Sequence, residues 1–155
     1  MALRIDILTL FPEMFDAFRA TSIVGRACQR GLVDIHLTNI RDFALDKYGS
    51  VDDAPFGGGP GMVLMCPPVF DAVEHVERQD ATVATRVLLT PQGRPFSQEV
   101  ARELAAMPRL LLICGHYEGF DERIRVGLQP REISIGDYVL SGGEPAAMIV
   151  VDAVV

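Results

Sequence analysis

Glu132-Ile133-Ser134-Ile135-Gly136-Asp137-Tyr138-Val139-Leu140-Ser141-Gly142-Gly143-Glu144 is the stretch on which the fold of this chain turns. A short apolar run feeds a loop holding three glycines, and Pro145 stands where the first turn of a helix begins. Glycines at these places let the main chain approach a ligand closely, and Ser141 can hydrogen-bond locally. Strand, glycine-rich turn and helix start in succession are the parts of a cofactor crevice in an open α/β sheet. They are equally the parts of a turn that only joins a strand to a helix. Neither G-x-G-x-x-G nor the P-loop lysine signature is present, so the usual dinucleotide and triphosphate readings lack their motif.

Working outward, strand and helix patterns alternate along the chain. Leu3–Thr9 reads as a strand, Pro12 to about Ala20 as a helix, and Ser22–Gln29 as helix ending at Gly31, a C-terminal cap. Val33–Asn39 alternates apolar and polar residues as a strand does, and residues 41–61 read as a long loop. Pro67 and Pro68 start a helix to about Glu77 with Val69, Val73 and Val76 on one face. Arg86–Thr90 and Arg109–Cys114 are short buried strands, separated by a helix from Ser97, its N-cap, to about Met107. Asp121–Val126 fits a short helix, Glu132–Ile135 a last strand, and Glu144–Val155 a Pro-started apolar helix. Such alternation implies an α/β fold with a mainly parallel sheet flanked by helices. The loops after the last three strands, Thr90–Arg94, Gly115–Gly119 and Gly136–Gly143, then emerge at one carboxyl edge, where ligands bind. Their convergence favours the cofactor crevice over the plain turn.

Composition narrows the class. A chain of 155 residues, 49% of them hydrophobic, supports one domain with a real core. No apolar run is long enough to span a bilayer, and Met1–Asp6 lacks a signal-peptide layout. Cys28, Cys66 and Cys114 are isolated, without C-x-x-C; this argues against disulfides and a zinc site and for a reducing cytoplasm. The net charge is −7, Lys47 is the only lysine and the arginines are scattered. A phosphate grip on nucleic acid would have to come from elsewhere.

Five motifs, in order, carry a resemblance: Leu10–Phe15 (LFPEMF), Asp52–Met62 (DDAPFGGGPGM), Thr90–Gly93 (TPQG), Cys114–Arg123 (CGHYEGFDER) and Ser134–Glu144. Together they resemble the bacterial tRNA (guanine-N1)-methyltransferases that modify the guanine at tRNA position 37, and the likeness spans essentially the whole chain. The resemblance implies a SPOUT fold, whose C-terminal backbone threads a loop into a trefoil knot. Pattern alone points to a Rossmann-like domain, and knots are rare exceptions to chain topology. It further implies S-adenosyl-L-methionine as cofactor, walled by Leu89, Thr90 and Pro91, by Gly115, and by Ile135, Gly136, Asp137, Tyr138, Val139 and Leu140. Gly59, Pro60 and Gly61 are expected to face the target guanine, within a loop whose alternative reading is a flexible connector. Glu118 is a possible auxiliary that either meets a polar or cationic ligand group or anchors its own loop. His116 tempts as a general base, but a solvated loop position is the reading adopted. Asp121 and Arg123 are expected to pair and hold their loop. No metal is called for.

The family's general base, an aspartate, and an assisting arginine are expected beyond Val155, together with a C-terminal tRNA-binding domain that this stretch does not include. Residues 1–155 are then the cofactor-binding domain, with tRNA and a second copy of the chain as partners, in the cytoplasm and off the membrane. Two readings compete. One is a cofactor-binding or dimerisation module without catalytic activity; the other is a nucleotide-dependent oxidoreductase of Rossmann type, disfavoured by the missing glycine fingerprint.

Overall fold

A computed structural model describes residues 2–53, 62–116 and 119–155. Thirteen elements follow in chain order among these residues: β1 (Leu3–Thr9), α1 (Asp16–Ala20), α2 (Ser22–Gln29), β2 (Val33–Asn39), β3 (Asp52–Asp53), β4 (Val63–Leu64), α3 (Cys66–Glu77), β5 (Thr85–Pro95), α4 (Gln98–Ala105), β6 (Arg109–Cys114), α5 (Glu122–Leu128), β7 (Arg131–Ser134) and α6 (Glu144–Val154). Single 3-10 turns cover Pro12–Phe15 and Ile40–Phe43. Five strands form one sheet in the order β2-β1-β6-β5-β7, and every pairing within it is parallel. The short strands β3 and β4 pair antiparallel apart from it.

The two-residue period of a strand assigns the core. Leu110, Leu112 and Cys114 of β6, with Ile5 and Ile7 of β1, face one side and pack beneath α2, α4 and α6. Leu111 and Ile113, with Leu8 and Leu88, face the other and pack beneath α3 and α5. A sheet covered on both faces explains why β6 is apolar at nearly every position. Its exception, Arg109, is fully buried. The guanidinium donates to Asp6 Oδ2 at 2.9 Å and to the carbonyls of Val76, Asp80 and Thr82 at 2.7, 3.1 and 3.0 Å. It thereby satisfies the open C-terminal carbonyls of α3 and the turn beyond. Asp6, set inside an apolar strand, is its counter-charge and also bonds Arg4.

Local signals account for the ends of the helices. Pro67 and Pro68 open α3, Ser97 Oγ accepts from Val100 N at 3.2 Å, and Asp121 accepts from Arg123 N at 2.9 Å. Gly31, at φ +71°, follows α2 as the left-handed cap. The α1–α2 junction breaks at Thr21, which is extended.

Three boundaries differ from the sequence reading. First, β5 does not stop at Thr90. Leu89 and Arg94 both face Ile133, so Thr90–Gly93 is pushed out as a bulge and the strand resumes, with Pro95 opposite Ser134. Pro91 has no N–H for the ladder, and Gly93 lies so close to the Glu132–Ile133 backbone that a Cβ would collide with it. Second, β7 is displaced by one residue, leaving Ile135 to begin the loop. Third, the 41–53 stretch holds the Ile40–Phe43 turn and β3, so it is not loop throughout; residues 54–61 lie outside the described residues.

Candidate functional site

Because β6, β5 and β7 are parallel neighbours, their carboxyl ends lie side by side, and the β5 bulge and the two loops that follow β6 and β7 enclose one cavity of about 410 Å³. Leu89, Thr90 and Pro91 form one wall and Gly115 the floor beside it. Ile135, Gly136, Tyr138, Val139 and Leu140 form the opposite wall. Asp137, expected with them, is exposed and does not line the cavity. Gly59, Pro60, Gly61 and Glu118 lie outside the described residues.

The third loop is held at both ends. Ser134 Oγ donates to the Gly136 carbonyl at 2.9 Å and accepts from the Gly136 N–H at 3.2 Å, folding the chain back on itself as it leaves β7. Near α6, the Gly143 N–H donates to the Gly115 carbonyl at 2.9 Å and Gly142 bridges to His116. Second and third loops therefore meet edge to edge. A Cβ on Gly143 would stand 2.9 Å from Cys114 Cα, so this contact needs glycine for space.

One expectation changes in this light and another gains a second reason. Gly115 and Gly136 are expected at close ligand approach. Both line the cavity, and each also makes room for a neighbouring ring: a Cβ at Gly115 would meet Phe120 at 2.6 Å, and one at Gly136 would strike Tyr138. His116 is not a solvated loop residue. It is half-buried, its ring 5.1 Å from that of Phe11, and it lines the cavity.

The charges around the cleft are paired. Asp121 takes a 2.6 Å bond from Arg123 Nη2, and this pairing, strengthened by the helix-start N–H, holds the Asp121 carboxyl down at about 2. The expected pair therefore forms. Through Leu64, whose N–H and carbonyl bond Gly119 O and Asp121 N, it also ties the second loop to β4. Among the described residues Glu122 is the one carboxylate on the cavity wall, and it is paired with Arg125, which also meets Glu132. Burial first, and the Glu144 carboxylate second, push the Cys114 thiol well above its ordinary range, which rules it out as a poised nucleophile. Sequence reasoning missed Ser134 as the loop clasp and the buried Thr9–Glu144 contact behind the cleft. A serine two residues before a glycine was a usable signal for the first. No local signal exists for the second. Among the described residues no group of three or more His, Cys, Asp or Glu side chains is disposed to hold a metal. No helix among them is long and apolar enough to cross a membrane.

Residues 3–155 match the family model described as tRNA (Guanine-1)-methyltransferase TrmD. The chain belongs to that family. A tRNA (guanine-N(1)-)-methyltransferase of Dehalococcoides mccartyi is 60% identical over 152 residues, covering 98% of this chain and 61% of the relative. One from Chloroflexus aggregans is 58% identical over 98% of this chain and 60% of its own length. The TrmD family fold is present too: the crystal structure of tRNA (m1G37) methyltransferase from Aquifex aeolicus superimposes with a TM-score of 0.90 at 38% identity, over 99% of this chain and 69% of that one. The chain spans about three-fifths of the length of these curated relatives.

Proposed function

We propose that this chain is the cofactor-binding part of a methyltransferase that carries a methyl group from S-adenosyl-L-methionine to N1 of the guanine at position 37 of tRNA. The observation that carries the reading is the single cleft at the carboxyl edge of β5, β6 and β7, built from the stretches the resemblance singles out.

The residues fit the group. A cavity of about 410 Å³ falls within the ~300–1,000 Å³ of small-molecule sites. Leu89, Ile135, Val139 and Leu140 offer apolar walls for an adenine ring, and the Thr90 hydroxyl and the loop backbone offer the polar contacts that orient a ribose and an amino acid tail. The bound cofactor supplies an already activated methyl on its sulfonium. What this chain does is hold it against a target and exclude water, gaining rate by alignment.

Guanine N1 carries its proton at neutral pH, so transfer needs a base. Glu122 is the carboxylate on the described wall, and its oxygens are engaged by Arg125. The base is therefore sought where the family resemblance puts it, on an aspartate downstream of residue 155 with an arginine beside it. Gly59, Pro60 and Gly61 are proposed to meet the target base, and Glu118 to assist. The edge-to-edge meeting of the Gly115 and Gly143 backbones supports a chain path in which the segment after β7 threads past the β6 loop as a trefoil knot. A homodimer and a cytoplasmic setting belong to the same reading. Most of α6 is covered by its own chain, but Ile149 remains 45% exposed. Sedimentation showing only monomer at micromolar concentration would remove the dimer.

The test is a calorimetric titration with S-adenosylmethionine and, separately, NAD, followed by methylation of a tRNA transcript by this chain and by a version extended through the downstream domain. Binding of S-adenosylmethionine alone, with methylation by the extended form, is expected. Absence of S-adenosylmethionine binding in the folded chain sinks the reading, and methylation by the short form within about tenfold of the long one places the base inside residues 1–155.

A further inference from the structure

Thr9 and Glu144 stand 135 positions apart in sequence and meet behind the cleft. Thr9 Oγ1 donates to Glu144 Oε2 at 2.7 Å, and both residues are buried, at 0% and 2% exposure. Glu144 opens α6, where the N-terminal field of the helix favours a negative charge. That field does not fix the direction of the carboxylate. A buried carboxylate needs a donor, and Thr9 provides it.

The contacts beyond this bond close into a ring. Glu144 Oε1 presses on Gly142: a Cβ there would stand 2.6 Å from that oxygen and 2.6 Å from His116 Cδ2. Gly142 is thus a spacer one residue thick between Glu144 and His116, to which it is bridged. The His116 ring rests on Phe11, and the Phe11 N–H returns to Thr9 Oγ1 at 3.0 Å. Gly142 and His116 line the cavity, whereas Thr9 and Glu144 stand behind that wall.

We infer that Thr9 and Glu144 are positioning residues of the cleft, a buried latch that sets the spacing of the second and third loops and so the seat of the cofactor. The inference rests on the proposed cofactor site for its consequence, not for its geometry. Replacing the hydroxyl by a methyl (Thr9→Val) keeps the shape of the strand end and removes the donor; Thr9→Ser returns the donor.

Two measurements are paired. In hydrogen exchange, Thr9→Val should free the Gly143 amide about tenfold relative to wild type, while Thr9→Ser stays close to wild type and Leu111, in the sheet centre, is unmoved. In titration, S-adenosylmethionine should bind Thr9→Val about tenfold more weakly and Thr9→Ser within about threefold, the loss expected for one hydrogen bond to a charged group. Val76→Ala, buried on the opposite face of the sheet, is the control: it lowers the melting temperature and leaves the affinity unchanged. Unchanged exchange at Gly143 in Thr9→Val overturns the latch. Faster exchange with unchanged affinity, or an equal loss of affinity in Val76→Ala, overturns its positioning role. A wild type that binds no S-adenosylmethionine sinks the proposed function instead, and the exchange measurement still decides whether the latch exists.

Discussion

Gly143→Ala isolates the contact on which the cleft depends. The residue has φ −84° and ψ −5°, a conformation alanine adopts freely, so no backbone strain is introduced. Removing a glycine here should even stabilise by about 0.4–1 kcal/mol, through the unfolded chain. Space sets the opposite sign. The new methyl would stand 2.9 Å from Cys114 Cα and 3.0 Å from Gly115 N, both main-chain atoms of a buried central strand end that cannot turn aside. Overpacking of this kind costs about 1–3 kcal/mol, and a shift of the third loop stretches the 2.9 Å Gly143–Gly115 bond, worth about 1 kcal/mol more. The net expectation is a loss of about 1–3 kcal/mol, with affinity for S-adenosylmethionine falling at least about tenfold because the displaced segment is the cleft wall. Urea unfolding followed by circular dichroism, beside a calorimetric titration, measures both. Gly31→Ala is the contrast. At φ +71° with open space around it, it should cost about 1 kcal/mol in stability and nothing in affinity. A Gly143→Ala protein as stable as wild type and binding within twofold would refute the view that the two loops are in backbone contact.

Two further outcomes concern the frame around the cleft. Arg109→Met, which strands Asp6 and several carbonyls in a fully buried place, should lower stability by about 3–5 kcal/mol, and a loss below about 1 kcal/mol in urea unfolding would mean that the clamp is not formed. Asp121 is held from its ordinary 3.8 down to about 2 by Arg123, so its stabilisation is complete above pH 4 and is lost as pH falls towards 2. Because Arg123 is largely exposed, solvent screening keeps the stabilisation small, and Asp121→Asn should flatten the stability–pH curve between pH 4 and 2; an unchanged slope would assign the acid loss to other carboxylates.

The sheet was legible because its signal is local. The continuous apolar run Leu110–Cys114, Ser97 before α4 and Pro67-Pro68 at the head of α3 each state a conformation within a few residues. The β5 bulge was not, since Pro91 and Gly93 announce a break in a ladder but not that the same strand resumes after it. Arg109 and Asp6 were illegible for a related reason. A charge at a strand end is ordinarily solvated, and only the arrival of α3 and its following turn converts it into a buried clamp. Within the site, the loops are legible from their glycines, but the packing role of those glycines is not. Which ring folds back over which glycine, Phe120 over Gly115 and Tyr138 over Gly136, is set by the packed chain rather than by the glycines themselves.

This separation of local from long-range signals bears on how the cleft works under the proposed function. The residues expected to touch cofactor lie on three glycine-containing loops with few fixed charges, so their own sequence specifies little of their geometry. Their spacing is imposed from behind, by Thr9, Glu144 and Phe11, and from the side, by the Asp121–Arg123 pair and Leu64. A site set by buried contacts should tolerate salt. Affinity for the cofactor is then expected to vary little with ionic strength, while encounter of a chain of net charge −7 with a polyanion is repulsive and strongly screened. Cofactor and tRNA binding thus differ in what supports them. Under the proposed function the first rests on the cleft described here, and the second calls for cationic surface beyond the scattered arginines of this chain.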